Sequence, residues 1–132
     1  MIVIDASVLP NVVGDDQSAG TIARDRLQTA GAASAPDLVD VETVSVLRRR
    51  WLQGDLTDER FRSAIDDLLA LPITRFPTGA LMPRAFELRA NVTAYDACYV
   101  ALAEALECTL VTSDQRLANA PTINCSTEIL RG

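Results

Sequence analysis

Apolar positions fall along this chain in two rhythms. Met1-Ile2-Val3-Ile4 is an unbroken apolar, β-branched run that stops at Asp5, the pattern of a short strand buried in a parallel sheet. Ile73 to Phe76 and Thr109 to Thr112 read as strands too, and Ile123 to Cys125 is a shorter apolar run near the end. Helical stretches lie between them. Residues 17–30 have helical composition, and the small-residue segment Gly31 to Ala35 ends that helix before Pro36. A helix from Asp37 to Gln53 follows, with Asp37 placed to cap it and Gly54 to stop it. Thr57 opens the next, through Leu71, with Asp58 and Glu59 at its positive end. Gly79 to Ala90 and Thr93 to Leu106 complete the set, the last being the most regular. Strands separated by helices imply right-handed crossovers, hence an α/β fold with a central parallel sheet flanked by helices.

With 132 residues and 48% hydrophobic composition, residues 1–132 are predicted to form one domain with a continuous core. There is no repeat, low-complexity tract or Gly/Ser linker. The apolar runs are too short and too interrupted to suggest a membrane span or a secretory leader, so a cytoplasmic protein is expected. Cys98, Cys108 and Cys125 are far apart, odd in number and without a CxxC pair, which fits small buried hydrophobes better than a disulfide framework or a thiolate zinc site.

Two absences narrow the chemistry. Without histidine there can be no Ser-His-Asp or Cys-His triad and no imidazole acid–base ribonuclease. Without lysine there can be no Schiff base and no Walker-type phosphate lysine. Hydrolysis must then rest on carboxylates, hydroxyls, arginine or a metal. The net charge of −6 argues against a generally basic nucleic-acid binder, unless some of the acids are ligands. With four of the 18 acids set aside, 12 arginines face 14 anions, an almost balanced surface.

Four acids have the right placing. Asp5 directly follows the first strand, and Asp114 follows Thr109-Leu110-Val111-Thr112 after one serine, so both sit just beyond strand carboxyl ends, where parallel sheets bind ligands. Either alone reads equally as a turn former. Glu42 has Leu38, Val39 and Val46 at helical spacing, an apolar setting that is costly for a charge unless it meets a metal or an arginine such as Arg49. Asp96 shares a helix side with Tyr99, Val100 and Ala103, although Thr93-x-x-Asp96 is also close to a capping box. Hard divalent cations take oxygen ligands, and such a cation activates water, the nucleophile this chain otherwise lacks.

The run Ile4-Asp5-Ala6-Ser7, then Pro36-x-x-Val39-x-x-Glu42, then Tyr95-Asp96-Ala97-x-Tyr99-Val100-Ala101-Leu102-Ala103, then Leu110-Val111-Thr112-x-Asp114-x-Arg116-Leu117 resembles the PIN domain, and within it the VapC toxins of VapBC toxin–antitoxin pairs. The resemblance covers nearly the whole chain. It implies a PIN-like fold and an Mg²⁺- or Mn²⁺-dependent endoribonuclease in which Asp5, Glu42, Asp96 and Asp114 form the acidic quartet. Ser7 and Thr112 match hydroxyl positions beside it. Some members carry a further acid after the last aspartate; Gln115, Arg116 and Leu117 stand there here, so one ion is expected. It also implies a VapB-type antitoxin, a homodimer and a toxin–antitoxin hetero-oligomer.

RNA contact would fall to arginines. Arg48-Arg49-Arg50 followed by Trp51 offers positive charge with an aromatic surface, or else a helix end that complements its own dipole. Arg116, two residues after Asp114, is placed to orient that loop or touch phosphate. Two rival readings stand beside the nuclease. A phosphoacceptor signalling domain should show paired acids after the first strand and a late lysine, and this chain has neither. A catalytically silent PIN-like interaction module would keep the ligands without turnover.

Overall fold

The computed structural model describes residues 1–131. Five strands form one all-parallel sheet in the order β3-β2-β1-β4-β5. They are β1 (Ile2–Ile4), β2 (Ala33–Pro36), β3 (Thr74–Phe76), β4 (Thr109–Thr112) and β5 (Thr127–Ile129). β1 lies at the centre, with Ile2 opposite Ala33 on one side and Thr109 on the other. The chain winds outward from β1 to β3 and then resumes on β1's other edge with β4. The carboxyl ends of β1 and β4 therefore flank the point where the winding reverses, the usual ligand crevice of an open α/β sheet.

Helices cover both faces. α1 (Leu9–Gly14) packs on α2 (Ser18–Thr29), α3 (Leu38–Leu52) and α4 (Asp58–Ala70). α5 (Met82–Glu87) packs on α6 (Ala94–Leu106), which lies across β1, β2 and β4. Every residue of α6 from Ala97 to Ala103 is buried, which explains a helix apolar on all sides. A short α7 (Gln115–Ala118) separates β4 from β5.

Several expectations meet local physics. Thr57 and Thr93 cap α4 and α6, accepting from the backbone N–H groups of Arg60 and Asp96. Gly54, at φ +85°, ends α3 in the left-handed conformation that glycine adopts without strain. Asp37 stands at the start of α3 without capping it, because its backbone is already helical rather than extended and its carboxylate accepts from no helix N–H; its own N–H donates to the Phe76 carbonyl at the end of β3. Residues 31–35 are not a helix terminus alone. Ala33–Pro36 is the fully buried strand β2, whose small side chains lack strand propensity but let α6 approach closely. The predicted helix from Gly79 breaks into a 3-10 turn (Gly79–Leu81) and α5, because Pro83 can sit only in a first turn. The last strand is β5 rather than Ile123 to Cys125. The short α1 and α7 carry no amphipathic period long enough to read. Among the described residues no helix is long and apolar enough to cross a membrane.

Candidate active site

The carboxyl ends of β1 and β4 are stitched together by hydroxyls. Asp5 is 4% exposed, and its Oδ1 accepts from the Ser7 backbone N–H (3.0 Å) and the Ser7 hydroxyl (2.5 Å). Ser7 Oγ lies 3.3 Å from Thr112 Oγ1 and accepts from the Ser113 N–H at 2.7 Å. Thr112 is fully buried, and its hydroxyl accepts from the Asp114 N–H at 3.0 Å. Asp114 then caps α7 by accepting from the Arg116 N–H at 3.0 Å. Ser7 and Thr112 thus hold the two strand-terminal aspartates in register.

The other two acids come from helices. Val39, Thr43 and Leu47 form the buried stripe of α3, and Glu42 stands half-buried beside it. Tyr99, 1% exposed on α6, donates its hydroxyl to Glu42 Oε1 at 2.6 Å. Arg49 is therefore not the partner of Glu42. Asp96, in the first turn of α6, has its backbone N–H capped by Thr93 while its side chain faces the same cleft. Capping and site membership coexist at this position.

Asp5, Glu42, Asp96 and Asp114 all line one cleft of about 540 Å³, with Ser7, Ser45, Arg49, Tyr95 and Tyr99 among the other walls. Burial, with a smaller contribution from neighbouring carboxylates, opposes ionisation of Asp5, Glu42 and Asp96. Burial pushes the Asp5 carboxyl up to about 6, against the hydrogen bonds from Ser7 and Thr112, and the charge of Asp96 adds to the rise. Burial also raises Glu42, opposed by the Tyr99 hydroxyl and aided by Asp96. Asp96 is raised by burial and then by the charge of Asp114, with Thr93 and Arg116 pulling the other way. Each of these acids is disfavoured as an anion where it stands, and a cation in the cleft would remove that disfavour.

Among the described residues no three acids or thiols already converge on a single ion position. The donor set is nonetheless of the right kind. It is all oxygen, and Mg²⁺ is ordinarily held by one or two carboxylates while keeping several waters, so a partly water-filled cleft suits it better than a closed cage.

The basic cluster is dispersed. Arg50 is half-buried and ties α3 to α1, donating to Asn11 Oδ1 (2.7 Å) and the Pro10 carbonyl (3.3 Å), so it is not free for RNA. Arg48 and Trp51 face a separate groove with Phe61 and Ile65, and the Trp51 indole donates to Asp58 at 2.7 Å. Only Arg49 reaches the acidic cleft. Consecutive helical residues point about 100° apart, so three arginines in a row cannot share one face. Arg116 is 97% exposed, its Nε 4.0 Å from Asp114 Oδ1, at the edge of the site. Three polar cleft residues, Ser45, Tyr95 and Tyr99, had no role assigned from sequence. Tyr99 and Ser45 could have been found from spacing, three residues after Asp96 and Glu42 on the same helix sides, whereas Tyr95 carries no helical-spacing signal of that kind.

The fold is an open parallel α/β sheet with four carboxylates gathered in a cleft at its switch point, where such sheets bind ligands. The chain belongs to the PIN-domain family, whose model matches residues 2–122. Among curated proteins it is 44% identical over 126 residues to ribonuclease VapC9 of Mycobacterium tuberculosis, covering 95% of this chain and 94% of that one. It is 37% identical over 130 residues to ribonuclease VapC1 of the same organism, covering 98% and 97%. Among solved structures, VapBC2 from Rickettsia felis, bound to a DNA fragment from its promoter, superposes with a TM-score of 0.73 at 16% identity over 99% of this chain and 100% of that one. That likeness shows the fold.

Proposed function

We infer that this chain is a divalent-metal-dependent endoribonuclease, the toxin of a VapBC-type pair, acting in the cytoplasm. The observation that carries the reading is the convergence of four carboxylates from β1, α3, α6 and the end of β4 on one cleft that holds a single arginine in its wall. Relatives named as VapC ribonucleases, alike over almost the full length, support the activity. Asp5, Asp96, Asp114 and Glu42 would hold Mg²⁺ or Mn²⁺. When bound, the ion supplies an activated water and neutralises charge growing on the phosphate. Ser7 and Thr112 keep Asp5 and Asp114 aimed. Arg49 in the wall and Arg116 at the edge neutralise flanking phosphates, and the exposed ring of Tyr95 beside Asp96 offers a face for an unstacked base. A VapB-type antitoxin is the partner that would restrain it, and a homodimer and a toxin–antitoxin hetero-oligomer are the assemblies this reading carries.

The test is cleavage of total RNA by the purified chain with Mg²⁺ or Mn²⁺, with chelator, and as Asp96→Asn. Cuts that need the ion and vanish in the variant support the nuclease. A wild-type protein that binds Mn²⁺ yet leaves every RNA intact would leave the silent interaction module.

A further inference from the structure

The four acids differ in how they are held. Asp5 is gripped by Ser7, Asp114 by the Arg116 N–H, and Asp96 is short and fixed to the capped start of α6. Glu42 is the longest, hangs from the second turn of α3, and has no backbone donor among the described residues. Among the described residues its side chain makes one hydrogen bond, from Tyr99. The geometry points to Tyr99 as a positioning residue for Glu42: its hydroxyl pins Oε1 and leaves Oε2 facing the cleft for an ion. This rests on the reading of Glu42 as an ion ligand.

The phenol is placed for that task. Its side chain is buried in the α6 layer, so phenylalanine would fill the same space, and its hydroxyl is the group that meets Glu42 in the cleft wall. A buried phenol oxygen without an acceptor is destabilising, and here the acceptor is a carboxylate of the site. Asp96 and Tyr99 lie three residues apart on α6, so one helix both contributes an acid and sets the rotamer of another acid contributed by α3. Partners that orient a ligand in this way typically change metal affinity 10- to 100-fold when removed.

The experiment measures Mn²⁺ binding to RNA-free protein by the loss of the free-ion electron paramagnetic resonance signal, alongside the Mn²⁺ concentration needed for half of the thermal shift. Tyr99→Phe should raise both midpoints about 10-fold. Excess Mn²⁺ should restore its RNA cleavage. Placed on a Glu42→Gln background, the same change should add nothing, because the two residues act as one unit. A Tyr99→Phe protein with wild-type midpoints overturns the proposal. If Glu42→Gln still weakens binding in that case, only the positioning role is lost; if Glu42→Gln also binds normally, Glu42 is not a ligand. Should Tyr99→Phe destabilise the fold instead, an equal loss of ion affinity on the Glu42→Gln background would assign Tyr99 to packing and overturn the proposal as well.

Discussion

The two ends of α6 carry acids of opposite character. Near its C-terminal end Glu104, with a side chain 15% exposed, receives both Arg84 (2.8 and 3.1 Å) and the Asn124 N–H (2.7 Å), while Arg84 also donates to the Thr122 carbonyl. Arg84 holds the Glu104 carboxyl below its usual range. At the first turn, Asp96 meets Asp114, Asp5 and Glu42 instead, and its carboxyl is raised by burial and by Asp114. One helix thus contains a satisfied ion pair that fastens the loop before β5 and an unsatisfied acid that faces a cleft. Where a fold spends an arginine on an acid, that acid is holding structure. Where four acids share one cleft and, among the described residues, only the long Arg116–Asp114 contact (4.0 Å) joins them to an arginine, a ligand is expected to complete the balance.

The sharpest way to break this contrast is to neutralise one acid at each end. On the proposed reading of Asp96 as an ion ligand, Asp96→Asn should lower RNA cleavage by more than about 100-fold and leave the ion-free fold intact, since it takes away a donor and relieves repulsion. Circular dichroism melts and cleavage of an end-labelled RNA check both halves. An Asp96→Asn protein of normal activity would reduce Asp96 to a helix-start residue.

Acid pH should move the two ends in opposite directions. Asp5 has a folded pKa of about 6 against an unfolded value of 3.8, so the folded state holds that proton more tightly. Lowering the pH of ion-free protein from 7.5 through 6 toward 4 should therefore stabilise it, by up to ~3 kcal/mol from Asp5. Glu104 has the opposite sign: its contribution is present above the unfolded value of 4.5 and is lost as the pH falls through the lower folded value. Stability measured against urea should rise and then fall on acidification, and Asp5→Asn should flatten the rise. With Mg²⁺ present the rise should disappear, because protons compete with the ion for the same oxygens.

A smaller effect is expected from Glu104→Gln, which should cost about 2 kcal/mol by weakening a charge-assisted pair and leave cleavage unchanged below the melting transition. The smallest effects divide the arginines. Arg50→Gln should lower stability by about 1 kcal/mol through its lost bond to Asn11, with RNA affinity unchanged. Arg49→Gln should weaken RNA binding and reduce its salt slope by about one unit, with stability unchanged. Equal RNA defects in the two variants would restore a continuous basic face that the helix geometry denies.

Much of this site was legible before any fold was seen. The apolar run that stops at Asp5, the run that ends two residues before Asp114, and the spacing of Asp96 and Tyr99 are local patterns, and local backbone preference carries them into three dimensions. The absence of histidine and lysine is equally local, and it narrowed the chemistry to carboxylates, hydroxyls, arginine or a metal. The strand Ala33–Pro36 was hidden because alanine, serine and proline carry no strand signal; its extended form comes from hydrogen bonding between β1 and β3 and from α6 pressing close.

What a chain of residues determines alone is which groups are available and which face of its own helix or strand each occupies. It could not separate Arg49 from Arg50, since only the packing of α3 on α1 decides that one guanidinium is consumed by Asn11 and its neighbour is left facing the acids. Nor could it join Glu42 to Tyr99, 57 residues away, because that bond exists only once α6 lies across the sheet beside α3. Distances between remote residues are set by the sum of all packing contacts, and no short window of sequence contains that sum.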